Sequence, residues 1–130
     1  MKNILLIITL FVSWNTFAEE KTWFCVTEKT AGLSYEDNTW KTTSFVNKRI
    51  IVKQNGIKLQ FPKDEAALVY MANCNEDTLI AEKIISCSTD TGKFVLNPNS
   101  GLATSSNVFG WLHPDYKDSL HVALWKCESF

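Results

Sequence analysis

Four cysteines, Cys25, Cys74, Cys87 and Cys127, constrain this chain more than any other feature. An even number in a chain of 130 residues points to two disulfides, because small domains of oxidising compartments are stapled where the apolar core alone is marginal. Their separations of 49, 13 and 40 residues contain no C-x-x-C pair, and neither histidine stands at ligand spacing from a cysteine, so no zinc site is indicated. Spacing alone leaves all alternative pairings open. Topology favours Cys25 with Cys127, which lie in the first and last strands and are neighbours if the sheet closes on itself, and Cys74 with Cys87, which flank the polar turn expected at Asn75-Glu76-Asp77. If all four are paired, no thiol nucleophile remains.

Oxidation needs export, and the N-terminal residues supply a reason to expect it. Lys2 precedes the uncharged run Ile4 to Val12, then Ser13, Asn15 and Thr16 follow, and Thr16-Phe17-Ala18 places small groups where a signal peptidase reads them. The run is shorter than the roughly 20 apolar residues of a membrane span. Residues Met1 to Ala18 are therefore expected to be a cleavable signal peptide, leaving one domain from Glu19 to Phe130 without stable membrane insertion, in the periplasm or outside the cell. Losing only Lys2 of the 13 basic residues leaves 12 against 14 acidic ones, a net charge of −2. Signs are interspersed along the chain, which is not the footprint of a nucleic-acid binder.

The remaining residues read as short strands separated by turn signals. Ile50-Ile51-Val52-Lys53-Gln54-Asn55-Gly56-Ile57-Lys58-Leu59-Gln60-Phe61 has the form of a β-hairpin, with Asn55-Gly56 as its two-residue turn. That register pairs Val52 with Leu59 and Ile50 with Phe61 on one apolar face, and sets Lys53 opposite Lys58. Further breaks are expected at Ala31-Gly32, Glu36-Asp37-Asn38, Asp90-Thr91-Gly92 and Asn97-Pro98-Asn99-Ser100-Gly101. Leu79 to Cys87 is long enough for one strand, and Leu120 to Cys127 alternates Leu120, Val122 and Leu124 with His121, Ala123 and Trp125. Only Pro62 to Ala72, with Asp64 as a possible cap and an alanine-rich body, reads as a helical turn or two. The expected fold class is mostly β, a small antiparallel up-and-down barrel or sandwich with one short helical segment and two disulfides.

Trp23-Phe24-Cys25 followed by Ala31-Gly32 and Trp40, then Cys87 with Gly92-Lys93-Phe94, and a terminal Leu124-Trp125-Lys126-Cys127, resembles small exported bacterial proteins of unknown function. That resemblance implies no activity and no catalytic residue.

Catalytic signatures are absent from the pattern. His113 and His121 are the only imidazoles; a Ser-His-Asp site would have to use one of them, and no G-x-S-x-G context accompanies either. Carboxylates cluster at Glu36-Asp37, Asp64-Glu65, Glu76-Asp77 and Asp115 with Asp118, all where polar turns are expected, and no calcium-loop spacing occurs. No cofactor, metal ligand or catalytic residue is assigned. The segment Asn107 to Asp118 is the exception to an otherwise structural reading, since it joins Phe109, Trp111, His113 and Tyr116 to turn residues. Either its aromatics fold inward to plug one end of the barrel, or Trp111 and Tyr116 stand out as anchors for a partner. Three functions follow: a non-enzymatic binding or inhibitor-like protein of the bacterial envelope acting on another envelope or secreted protein, a lipocalin-like carrier of a small apolar ligand, and an exported hydrolase using His113 or His121. A packed interior favours the first and an open apolar cavity the second.

Overall fold

A computed structural model describes residues 20–61, 73–88, 92–108 and 119–130. Nine strands fill these segments: β1 (Glu20–Glu36), β2 (Thr39–Thr43), β3 (Arg49–Asn55), β4 (Lys58–Gln60), β5 (Asn73–Leu79), β6 (Glu82–Ser88), β7 (Gly92–Leu96), β8 (Leu102–Asn107) and β9 (Leu120–Ser129). All pairings are antiparallel, in the order β4-β3-β1-β9-β8-β7-β6-β5, with β2 beside β1. β4 touches both β5 and β6, so the sheet curls into a nearly closed barrel. Strands β5 to β9 run up and down in chain order, and β1 joins the last of them. The described residues contain no helix, and the helical turns expected within Pro62 to Ala72 lie outside them.

One long strand organises the barrel. β1 carries β9 along one edge, while its other edge is shared, with β3 on residues 20–26 and β2 on residues 32–36. Between β2 and β3 the chain leaves the ladder, and two threonines of β1 hold it in place. Thr30 Oγ1 donates to the Phe45 carbonyl (2.6 Å) and accepts from the Phe45 N–H (2.9 Å); Thr27 Oγ1 accepts from the Lys48 N–H (2.7 Å). The hydroxyls stand in for missing ladder bonds where a bulge between Thr27 and Lys29 shifts the β1–β9 register. β1 does not turn at Ala31-Gly32 as expected. It runs straight through, and Gly32 faces His121 across the ladder because a Cβ there would lie 1.9 Å from the Leu120 carbonyl oxygen. The glycine serves close approach rather than a turn.

Alternation along each strand fills the barrel. Trp23, Val52, Phe94, Leu96 and Trp125 are buried inside, and Phe94 meets Phe61 edge-on at 5.1 Å between centroids. Both buried indoles are satisfied, Trp23 by Gln54 Oε1 and Trp125 by Ser105 Oγ, each at 2.8 Å. The β3–β4 hairpin keeps the expected apolar face, with Ile50, Val52, Leu59 and Phe61 all buried, but its register differs. Asn55 pairs with Lys58 and Gln54 with Leu59, so the turn is Gly56-Ile57. Gly56, at φ 60°, takes the first central position, where a type II′ turn wants glycine. The shift moves every pairing by two residues, which preserves the face and separates Lys53 from Lys58.

Both expected disulfides are present, Cys25–Cys127 and Cys74–Cys87, and each joins directly opposed residues of neighbouring strands. Their burial differs. Cys25 and Cys127 lie in the interior between two central strands, whereas Cys74 is half-buried on β5 at the open end of the sheet. Limited reduction of the folded protein is therefore expected to open Cys74–Cys87 first, because a thiolate must reach a sulfur in order to attack it. Alkylation and peptide mapping after stepwise addition of dithiothreitol read the order; initial labelling at Cys25 or Cys127 contradicts it.

Candidate functional site

Two features of the described surface depart from what a purely structural barrel needs. One is a cavity of about 190 Å³ at one end of the barrel. It opens where the Phe45 to Lys48 connection crosses the ends of β8 and β9, and its walls include Phe45, Ser105, Asn107, His121 and Trp125. Period-two alternation puts Ser105 and Asn107 on the inner face of β8, and His121 and Ala123 on that of β9, with Ser119 just ahead of β9. His121 packs against Phe45, with ring centroids 5.4 Å apart. Lys48, exposed at the rim, is the one charged side chain among the described lining residues. The Asn107 Oδ1 atom is buried and has no hydrogen-bond partner.

The other feature lies outside the barrel. Leu79, Ile84, Val95, Leu102 and Leu124 border a groove of about 450 Å³ on the outer face. Leu102 and Leu124 are exposed there, and the β5–β6 hairpin continues the apolar surface to its tip. Its two turn residues are Ile80, at φ 49°, and Ala81, at φ 65°. Such a left-handed pair is made most easily by Asn-Gly, and a β-branched residue in that region is an outlier. Ile80 nonetheless stands 91% exposed. The expected polar turn at Asn75-Glu76-Asp77 is part of β5 instead, and Leu79 to Cys87 is not one strand but the end of β5, the turn and β6. Cys74 opposite Cys87 requires a turn centred between Ile80 and Ala81, so the crosslink sets the register over the local turn preference.

Of the residues singled out in the sequence, the four cysteines are placed as paired. Phe109, Trp111, His113 and Tyr116 lie outside the described residues. His121 reaches the cavity together with Ser105 and Ser119, but no carboxylate lines that cavity among the described residues. Nor does any group of three or more His, Cys, Asp or Glu suited to a metal occur among them. The Ile80 tip and Asn107 were not anticipated. An Ile-Ala pair carries no turn signal, and β8, Leu-Ala-Thr-Ser-Ser-Asn, reads as a polar connection until its neighbours are known. Comparison with family models, with curated proteins and with solved structures finds no match.

Proposed function

We propose that this chain is an exported binding or inhibitor-like protein, periplasmic or extracellular, that uses a rigid disulfide-stapled barrel to present apolar side chains to another envelope or secreted protein. The apolar leader after Lys2 and the paired cysteines support export. One observation carries the binding role: the β5–β6 hairpin accepts an unfavourable backbone at Ile80 and leaves that side chain in water, beside an apolar groove. Backbone strain retained at an exposed apolar residue beside an apolar groove is the pattern of a contact site. The carrier reading is weaker, since Trp23, Phe94, Leu96 and Trp125 fill the interior where a lipid-like ligand would sit. A hydrolase has less support still, because His121 shares its cavity with no acid among the described residues.

The test separates binding from folding. Replacing Ile80 and Ala81 by asparagine and glycine gives the turn its preferred residues and is expected to stabilise the fold by about 1–3 kcal/mol, relieving left-handed strain at two positions. The same change removes the exposed anchor. A photo-crosslinking residue at position 80 of the exported protein is expected to give one discrete adduct with another envelope or secreted protein, and a purified partner so identified is expected to bind the double variant roughly tenfold more weakly. Absence of any discrete adduct, or equal binding by the stabilised variant, overturns the assignment of the tip. Stoichiometric co-purification of an apolar small molecule establishes the carrier instead.

A further inference from the structure

A disulfide opens when a thiolate attacks one sulfur from the side opposite the other, so access decides which crosslink exchanges and at which end. Cys87 is fully buried, whereas Cys74 is half-buried on β5, the last strand of the sheet. Cys74 also lines a cavity of about 480 Å³ whose other walls are the β3–β4 hairpin and Glu20. That cavity lies on the β4 side of Cys74, while Cys87 lies on its β6 side, which is the arrangement an attacking thiolate needs. Lys53 and Lys58, both exposed, stand in its wall, and Glu20 is the one acid among the described lining residues. The crosslink also bears on the turn beyond it. With Cys74 opposite Cys87 and the ladder unbroken to Leu79 and Glu82, only Ile80 and Ala81 are left to reverse the chain, and both take the left-handed region. β6 is held on its other side by β7, but β5 has no ladder partner except β6 among the described residues. Once the crosslink opens, β5 is the strand that can shift.

We propose that Cys74–Cys87 is an exchangeable crosslink, opened at Cys74 by a small thiol that carries carboxylates, and that its opening lets the Ile80–Ala81 turn relax. The incoming thiolate bonds to Cys74 Sγ as the Cys74–Cys87 bond breaks, and the electron pair of that bond leaves on Cys87 Sγ, which takes a proton from water. A second thiol displaces the first as a symmetrical disulfide and leaves Cys74 reduced, so two thiols are oxidised for one crosslink reduced. Lys53 and Lys58 attract the carboxylates of the thiol and favour its thiolate form. The exchange stands apart from any partner; only its use as a control of the exposed tip rests on the contact role proposed for Ile80.

Glutathione is the probe and mercaptoethanol the comparator without carboxylates, each added to the oxidised full chain at matched thiolate concentration and followed by acid quenching, alkylation and peptide mass mapping. The first mixed disulfide is expected on Cys74. Lys53→Gln combined with Lys58→Gln is expected to slow glutathione roughly fivefold, the effect of one unit charge about 4 Å away in water, and to slow mercaptoethanol less. In a glutathione buffer at equilibrium, the variant carrying Ile80→Asn and Ala81→Gly is expected to open roughly tenfold less readily than the unsubstituted chain, because its turn has no left-handed strain to release. No adduct at millimolar glutathione, or a first adduct on Cys25, Cys87 or Cys127, overturns the proposal. Equal slowing of both thiols overturns the preference for an anionic thiol, and an unchanged opening constant in the turn variant overturns the coupling to Ile80–Ala81. No partner protein enters these measurements, so their failure leaves the contact role of the tip standing, and absence of a crosslinked partner at position 80 leaves the exchange standing.

Discussion

A variant with Cys25 and Cys127 both replaced by alanine is expected to lose about 4.7 kcal/mol of folding free energy, the loop-entropy value for a closure of roughly 100 residues. The crosslink spans 102 residues, almost the whole of the described fold, and it joins β1 to β9, the pairing that brings the two ends of the chain together. Without it the unfolded ensemble gains the freedom to separate those ends. Equivalent removal of Cys74 and Cys87, separated by 13 residues, is expected to cost nearer 3 kcal/mol. Most domains of this size are stable by only about 5–15 kcal/mol, so the first variant approaches the limit of folding and the second does not. Urea unfolding of the two double variants under non-reducing conditions measures the difference. Equal losses would mean that native packing around the sulfurs, rather than chain entropy, sets the cost.

Pairing of the cysteines was legible in the sequence for a reason only half right. The pairing of Cys74 with Cys87 follows in the sequence from a polar turn expected at Asn75-Glu76-Asp77, yet those residues are strand and the turn falls at Ile80-Ala81. Proximity along the chain identified the partners, while the register depended on the crosslink and on β7 pairing with β6 from the other side. The β3–β4 hairpin shows the same limit more gently. Asn55-Gly56 marked the place and the alternation marked the face, but moving the turn by one residue left the apolar face intact, so periodicity had no power to choose between the registers. The cavity was less legible. Ser105 and Asn107 look inward only because β8 lies between β7 and β9, and their short polar side chains leave open the space that Phe94 and Trp125 occupy farther along the barrel.

A large single-residue effect outside the cysteines is expected at Gly101. Its backbone lies at φ 70°, where a side chain costs about 1–2 kcal/mol, and a Cβ there would meet the Cys127 carbonyl oxygen at 2.2 Å. That oxygen belongs to backbone and has nowhere to retreat. Cys127 donates its N–H to the Gly101 carbonyl at 2.7 Å, and Gly101 donates to the Asn97 carbonyl at 2.9 Å. The Asn97 side chain in turn accepts from the Asn99 and Ser100 N–H groups, at 2.9 and 3.2 Å, so the turn is held from both sides. Gly101→Ala must therefore push β9 away from the β7–β8 turn beside the buried disulfide, breaking at least one buried hydrogen bond at about 1–3 kcal/mol in addition to the conformational penalty. The expected total is about 3–4 kcal/mol. Gly56→Ala is the control, because Gly56 shares the positive φ but lies exposed in the β3–β4 turn, and it is expected to cost only about 1–2 kcal/mol. Melting temperatures of the two variants, taken with disulfides intact, separate strain from collision. If the two alanines cost the same, the contact with Cys127 is relieved without penalty, and the turn holds β9 less rigidly than its hydrogen bonds imply.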